Sequence, residues 1–271
     1  MDFRKRFAAK GRKFSIADHD PDDTAGFKDD QEAVERTRNN TKKLEKLHDK
    51  LYAEHRYALL IVLQAMDTAG KDSTIKHVMS GVNPVGCVVS SFKQPSQLEK
   101  DHDFLWRVHQ HVPERGSIGI FNRSHYEDVL IVRVHQLVAE NIWSERYEQI
   151  RDFEKMLYLN DVRIIKFFLN ISHEEQLRRF KERLADPTKN WKFSEADMTE
   201  SRYWDEYQKA YQDALARCSR KHAPWYVIPS NKKWFRNLAV SQIIVDTLED
   251  LHLEYPVTAT SSPAEARTKK Q

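Results

Sequence analysis

Residues 59–74 read LLIVLQAMDTAGKDST. The first part is an apolar run typical of a buried strand, and it stops at a small turn that contains Gly70. Lys71 follows, and the hydroxyl residues Ser73 and Thr74 open a predicted helix. In such a strand–loop–helix unit, backbone N–H groups and a helix N-terminus face an anion while the lysine adds a positive charge. The stretch therefore predicts a loop that binds phosphate.

The loop departs in two places from the usual pattern, G-x-x-x-x-G-K-[ST]. Ala65 stands where the first glycine is expected, and Asp72 separates Lys71 from the hydroxyl residues. An ordinary strand-to-helix turn with a lysine at the helix start is the alternative interpretation. Asp67 favours phosphate, because a carboxylate in the loop would repel an anion unless a metal ion or a proton accompanies it.

The composition is that of a highly charged globular protein with 271 residues, of which 40% are apolar and 31% are charged. This length suffices for one sizeable α/β domain with tails. No apolar run approaches the ~20 residues of a membrane-spanning helix, and no apolar stretch follows the basic N-terminus as in a secretory signal. Two cysteines, Cys87 and Cys218, cannot build a disulfide framework. We therefore expect a cytoplasmic protein without membrane association.

The net charge of +3 is small, but the charges are segregated along the chain. Residues 214–245 contain six Lys/Arg and no acid, whereas residues 18–32 contain seven acids and one lysine. This pattern predicts either a basic face for a polyanion or two oppositely charged faces that attract each other in an oligomer.

Alternating apolar and amphipathic segments predict an α/β fold with a mainly parallel, five-stranded sheet covered by helices. We expect residues 1–30 to be irregular, residues 31–255 to form the domain, and the polar tail, residues 256–271, to be disordered. Ligands of such sheets bind beyond the carboxyl ends of the strands. The predicted strands are 57–64, 86–90, 117–122, 162–169 and 225–228, and the predicted helices are 32–54, 71–80, 98–111, 145–160, 172–186, 199–219 and 233–251.

The third predicted strand ends in a polar stretch, FNRSHYEDVL. Asn122 stands where a strand beside the phosphate loop commonly supplies a polar group for a metal or its waters. Arg123 could contact a phosphate, and Glu127 and Asp128 add two carboxylates. The alternative is a polar helix start, since acids are favoured in a first turn.

A second basic stretch, HEEQLRRFKERLADPTKNWKFS, begins at His173. Arg179 and Arg183 are four residues apart and share a helix face. A mobile basic helix of this kind can close over phosphates, exclude water and neutralise charge. The alternative is an amphipathic surface helix with Glu–Arg pairs.

Four blocks in order resemble the polyphosphate kinase 2 family across roughly residues 30–250: QAMDTAGKDSTIKHV, FNRSHYEDVL, EEQLRRFKERLADPTKNWKFS and APWYVIPSNKKWFRN. The resemblance implies a three-layer α/β/α P-loop kinase fold with a helical lid at about residues 172–200. It implies Mg²⁺-dependent transfer of phosphoryl groups between inorganic polyphosphate and adenine or guanine nucleotides, with Mn²⁺ as a possible substitute. The form SHYEDVL resembles the class III branch, which implies that both AMP and ADP are acceptors. A homo-oligomer, dimer or tetramer, is also implied.

The resemblance also implies roles by position. The catalytic residues would be Asp67, Lys71 and Arg123, and the metal ligands Asp67, Asn122 and Asp128. The nucleotide would contact Asn122, Arg123, Glu127 and Asp128. Phosphate and polyphosphate would contact Ala69, Gly70, Lys71, Asp72, Ser73, Arg178, Arg179, Arg183 and Lys192.

Two other functions compete with this hypothesis. An ATP-dependent nucleoside monophosphate kinase of the thymidylate-kinase type would use the same loop and lid. A basic nucleic-acid-binding protein could use residues 214–245, but it would have no use for Asp67 inside a phosphate loop. We therefore expect polyphosphate and nucleotides, and no nucleic acid, as partners.

Overall fold

The computed structural model describes residues 1–10, 14–188, 190–192 and 195–257. Within them, five parallel strands form one sheet in the order β2-β3-β1-β4-β5. This arrangement confirms the predicted α/β fold with a five-stranded parallel sheet. The strands are β1 (Ala58–Gln64), β2 (Cys87–Ser91), β3 (Ile118–Asn122), β4 (Val162–Asn170) and β5 (Trp225–Pro229).

The helices surround this sheet and follow its strands along the chain. In the same described residues they are α1 (Phe3–Phe7), α2 (Asp30–Glu54), α3 (Lys71–Val78), α4 (Gln97–Lys100), α5 (Trp106–His109), α6 (Ile131–Val134), α7 (Glu140–Leu159), α8 (His173–Ala185), α9 (Glu195–Glu200), α10 (Trp204–Cys218) and α11 (Lys233–Glu249). Single 3₁₀ turns lie at Ile16–Asp18, Pro84–Gly86, His125–Val129, Asn190–Lys192 and Ser201–Tyr203.

Side-chain alternation along the central strands shows what covers each face of the sheet. Ile61, paired in register with Ile120, packs with Ile75 of α3 and Ile244 of α11. Lys166 is paired in register with Val62, the next residue of β1, so it points to the opposite face, where it contacts α7 and α10. Every residue of β1 is buried as a result, which gives the predicted three layers.

The N-terminal segment is more ordered than its sequence suggests. We expected irregular chain before residue 31, yet α1 buries Phe3 and Phe7, whose rings lie edge-on to Phe235 of α11. Ala8 forms an antiparallel bridge with Tyr226 of β5. Two aromatic residues four apart were the overlooked signal, because they define one face of a helical turn.

Some predicted helices differ from the observed ones. The helix expected at residues 199–219 begins at Trp204, after the 3₁₀ turn at Ser201–Tyr203. The single helix expected at residues 98–111 is two short helices, α4 and α5. At the start of α8, Ser172 Oγ accepts from the Glu175 amide at 3.2 Å, and the Glu175 carboxylate binds Arg178 and Arg179. The prediction for the tail falls mostly on residues 258–271, which lie outside the described residues. None of the described helices combines the length and apolarity needed to cross a membrane.

Candidate active site

Residues 65–70, the phosphate loop, connect β1 to α3 at the carboxyl edge of the sheet. Gly70 has a φ of 106°, and a Cβ there would lie 2.0 Å from an Arg236 nitrogen, so only glycine fits. The helix begins at Lys71, and the Thr74 amide donates to Gly70 O at 2.9 Å. The amides of residues 71–73 precede that bond and have no intrahelical acceptor. They lie where the sequence predicts that phosphate binds, and free amides at a helix start are suited to an anion.

Lys71 reaches back over the loop that precedes it. Its Nζ donates to Ala65 O at 3.0 Å and lies 3.9 Å from Asp67 Oδ1. Burial lowers the pKa of this ammonium group, and the neighbouring Asp67 carboxylate opposes the shift. The lysine is thus held at the loop by a backbone carbonyl and a carboxylate, ready to contact an anion bound at the amides.

Arg123, the residue that follows β3, also lies at the phosphate loop. Its backbone is left-handed, with a φ of 62°, and its amide donates to Leu63 O at 3.0 Å. Its guanidinium donates to Asp67 Oδ1 at 2.8 Å. Burial lowers the pKa of Arg123, but the carboxylates of Glu127 and Asp67 outweigh burial, and the net shift is upward. The structure therefore brings together all three predicted catalytic residues.

The remaining polar residues after β3 divide into two groups. Asn122 Nδ2 donates to Asp72 Oδ1 at 2.7 Å, and Gln64 Nε2 donates to Glu127 Oε1 at 3.1 Å, so Asn122 and Glu127 face the loop and strand β1. Asp128 differs: its carboxylate accepts from Arg146 of α7 at 3.0 Å. Burial raises the Asp128 pKa to about 6, although Arg146 opposes the shift.

Within the described residues, no three His, Cys, Asp or Glu side chains form a metal-binding group. Of the predicted ligands Asp67, Asn122 and Asp128, the first two lie at the loop, whereas the Asp128 carboxylate is ion-paired with Arg146. Asp67 and Asn122 still present carboxylate and amide oxygens at the loop. These oxygens fit Mg²⁺, which typically takes one or two protein ligands together with substrate phosphates and waters.

These features correspond to a known family. The profile described as Polyphosphate kinase 2 (PPK2) matches residues 27–256. The chain belongs to the polyphosphate kinase 2 family. An AMP/ADP-polyphosphate phosphotransferase from Meiothermus ruber is 51% identical over 251 residues, which cover 92% of this chain and 94% of the relative.

A second relative and a solved structure agree with this assignment. An ADP-polyphosphate phosphotransferase from Rhodopseudomonas palustris is 46% identical over 246 residues, which cover 86% of this chain and 85% of that one. The crystal structure of polyphosphate kinase 2 from Arthrobacter aurescens TC1 superposes with a TM-score of 0.94 at 40% identity, covering 98% of this chain and 95% of that chain. The predicted family and kinase fold are confirmed.

The predicted lid arginines do not share one environment. Arg178 is exposed and forms ion pairs with Glu175 and Glu182 on its own helix. Arg183 lies over the Phe180 ring, with 5.9 Å between the guanidinium carbon and the ring centroid. The side chain of Lys192 lies outside the described part of the chain.

The position of Arg179 differs from our prediction that this residue binds polyphosphate. Its side chain is buried, and its guanidinium donates to Glu175 Oε1 and to the carbonyls of Thr68, Ala69, Ser230 and Asn231 at 2.7–3.1 Å. These five hydrogen bonds equal the number of N–H groups that a guanidinium has. Arg179 therefore faces the protein side of the phosphate loop, and the shared helix face with Arg183 does not give the two residues one role.

Two other residues at the loop were missed by the sequence analysis. Gln176 Nε2 donates to Asp67 O at 3.1 Å, and Arg236 donates to Ala69 O at 2.8 Å and to Ser73 Oγ at 3.2 Å. Arg236 is only 1% exposed, so it does not belong to the basic surface predicted for residues 214–245. The available signal was its place in α11, where buried apolar residues precede and follow it.

Proposed function

We propose that this enzyme transfers a phosphoryl group directly between inorganic polyphosphate and AMP or ADP. The observation that carries the proposal is the cluster of Asp67, Lys71 and Arg123 at the mouth of an amide-lined loop. The names of the relatives from Meiothermus ruber and Rhodopseudomonas palustris support AMP and ADP as acceptors. The same names, with family membership, favour polyphosphate over the ATP-dependent alternative.

The geometry supports in-line transfer without a protein nucleophile. The amides of residues 71–73 and Lys71 hold the transferred phosphate, while Arg123 neutralises charge on a second phosphate. Alignment of donor and acceptor with neutralisation of their charge is sufficient, because the reaction moves a phosphoryl group from one phosphate oxygen to another. Glu127 and Asn122 lie on the strand side of this cluster and would contact the acceptor nucleotide.

Magnesium is part of the proposal, and the charge balance at the loop supports it. On the side of the loop that faces the substrate, the two cations of Lys71 and Arg123 meet the three carboxylates of Asp67, Asp72 and Glu127, whereas the buried Arg236 binds the loop from the protein side. A divalent cation, Mg²⁺ or Mn²⁺, held by Asp67 and Asn122 would offset this excess and neutralise phosphate charge during transfer.

Two broader proposals concern the setting of the enzyme. Cys87 and Cys218 are both free thiols, which supports the proposal that the enzyme works in a reducing, cytoplasmic compartment. Val88 and Val89 of the edge strand β2, and Val85 just before it, are exposed apolar residues that support assembly into a dimer or tetramer. Light scattering of the purified protein would measure the oligomer size.

A donor-exchange assay tests the function. The purified enzyme is incubated with Mg²⁺, polyphosphate and either AMP or ADP, in the absence of any nucleoside triphosphate, and the products are separated by chromatography. We expect ADP and ATP from AMP, and ATP from ADP. Chelation of the metal should stop both reactions. Turnover of AMP with ATP but not with polyphosphate would instead establish a nucleoside monophosphate kinase.

A further inference from the structure

Three consecutive carbonyl groups of the phosphate loop, at residues 67–69, accept hydrogen bonds from buried side chains of α8 and α11. The first accepts from Gln176 at 3.1 Å and the second from Arg179 at 3.1 Å. The third accepts from Arg179 at 3.1 Å and from Arg236 at 2.8 Å. All three carbonyls therefore bind the protein, and the amides of residues 71–73 at the start of α3 are left to face an anion.

The loop requires this support because its backbone is unfavourable at the centre. Thr68 is β-branched and has a φ of 64°, a left-handed conformation that such residues rarely adopt. A strained residue persists only when its surroundings hold it in place. The contact between Thr68 O and Arg179 acts directly on the strained peptide, and Arg179 also binds the carbonyls of Ser230 and Asn231 after β5.

Arg236 is a buried cation without a carboxylate partner among the described residues. Its hydrogen bonds go to Ala69 O, Ser73 Oγ and Asn237 Oδ1, which are all uncharged acceptors. Burial lowers its pKa to about 9, so the guanidinium remains charged at neutral pH. An unpaired buried charge is costly, and a phosphate held at the loop amides would supply the missing negative charge.

We propose that Arg179 and Arg236 are positioning residues for phosphoryl transfer, an inference that rests on the proposed function. The two guanidinium groups, the loop clamp, hold the loop carbonyls away from the ligand and keep the amides aimed at the transferred phosphate. Arg236 also gains its counter-charge only when phosphate is bound. Loss of the clamp should therefore weaken phosphate binding at the loop and slow the chemical step, without altering the nucleotide site at β3.

The test compares Arg236→Met and Arg179→Met with wild type in two measurements. The first is kcat and KM for ADP at saturating polyphosphate. The second is the rise in melting temperature caused by tripolyphosphate with Mg²⁺. We expect kcat to fall ~100-fold, as when preorganised donors are lost from a transition state, with KM for ADP unchanged and most of the tripolyphosphate-induced rise lost. Arg236→Lys keeps the positive charge with fewer N–H donors, so it should retain more of the tripolyphosphate-induced rise in melting temperature. It is the variant to measure in place of Arg236→Met where the methionine protein does not fold.

Arg163→Met is the matched control. Arg163 lies near the amino end of β4, far along the sheet from the loop, and it too donates to a backbone carbonyl, Tyr158 O, at 3.2 Å. This variant should lose stability but keep kcat and the tripolyphosphate response. A folded Arg236→Met or Arg179→Met with near-normal kcat and a wild-type response would overturn the clamp. If the wild-type enzyme does not turn over polyphosphate, the proposed function is wrong. The loop clamp is then tested by the tripolyphosphate-induced rise in melting temperature alone, which should be smaller in the two methionine variants than in wild type.

Discussion

Single side chains set the charge at the mouth of the phosphate loop. Asp67 is the centre of this arrangement, since Arg123 binds its carboxylate at 2.8 Å and Lys71 lies 3.9 Å away. The carboxylate thus holds both cations in place before substrate binds, and its remaining oxygen is suited to a metal. Asp67 therefore orients the two cations, and in the proposed function it would also supply a metal ligand.

Removal of the charge of Asp67 or of Lys71 should abolish most phosphoryl transfer while the fold remains intact. For Asp67→Asn and Lys71→Met we expect kcat to fall roughly 10²–10³-fold, because each group acts on charge that develops in the transition state. Lys76→Ala is the control, since Lys76 is an exposed lysine on the same helix. Steady-state kinetics and thermal melting of the three variants test this expectation. Near-normal turnover by a folded Asp67→Asn protein would exclude a metal role for Asp67.

Glu127 should influence the choice of acceptor. AMP must enter more deeply than ADP for its single phosphate to reach the donor, and a carboxylate at Glu127 could hold a metal or water in the gap. The contact from Gln64 at 3.1 Å fixes this carboxylate beside β1. Glu127→Asn should therefore lower kcat/KM for AMP more than for ADP. Equal losses on the two acceptors would show that Glu127 serves the shared chemistry, and a wild-type enzyme inert towards AMP would exclude the class III assignment.

The sequence predicted the loop, its lysine and the polar end of β3, because adjacent residues in a strand–loop–helix unit have fixed relative positions. The residues it missed approach the loop from distant segments. Gln176 and Arg236 lie more than 100 residues from the loop carbonyls that they bind, and a hydrogen bond of this kind leaves no periodic pattern. Arg179 was misassigned for a related reason: helix periodicity shows which residues share a face, but not whether that face meets solvent or a loop.

At the scale of elements, α8 combines an anchored beginning with a more accessible end. Its first two turns are tied to the phosphate loop through Gln176 and Arg179. Only the segment after Arg179 can therefore move as a lid without breaking those bonds. We therefore expect movement of the predicted lid, residues 172–200, to start after Arg179, about two turns later than the sequence suggests.

Arg183 should be the residue of α8 that acts on polyphosphate. It lies one turn beyond Arg179, and its guanidinium lies over the Phe180 ring. Arg183→Ala should raise KM for polyphosphate severalfold, because a guanidinium makes charge-assisted contacts to phosphate, and should leave KM for ADP unchanged. Lys181→Ala, an exposed residue on the opposite face, is the control. Initial rates across a range of polyphosphate concentrations measure the effect. Identical curves for both variants would show that Arg183 does not contact polyphosphate.

At the scale of the whole molecule, one buried network joins the layers beneath the site. Lys166 of β4 donates to Glu154 of α7 at 2.5 Å, to the Tyr126 hydroxyl at 2.8 Å and to Cys218 O of α10 at 3.0 Å. Glu154 also accepts from Tyr126 at 2.8 Å. Burial favours the neutral carboxyl, but the contacts with Lys166 and His125 together outweigh burial and lower the pKa of Glu154. The network connects the polar stretch after β3 to three other elements.

Breaking this network from one side should destabilise the protein strongly. Lys166→Met leaves a buried carboxylate without its cation, and Glu154→Leu leaves a buried ammonium, so each should lower the free energy of unfolding by ~3–5 kcal/mol. The double variant removes both charges and should cost clearly less than the sum of the single changes, because neither group is then left unpaired. Tyr126→Phe, which keeps the ion pair, should cost only ~1 kcal/mol. Urea titrations of the four variants measure these values, and strict additivity in the double variant would mean that the two charges stabilise the fold independently.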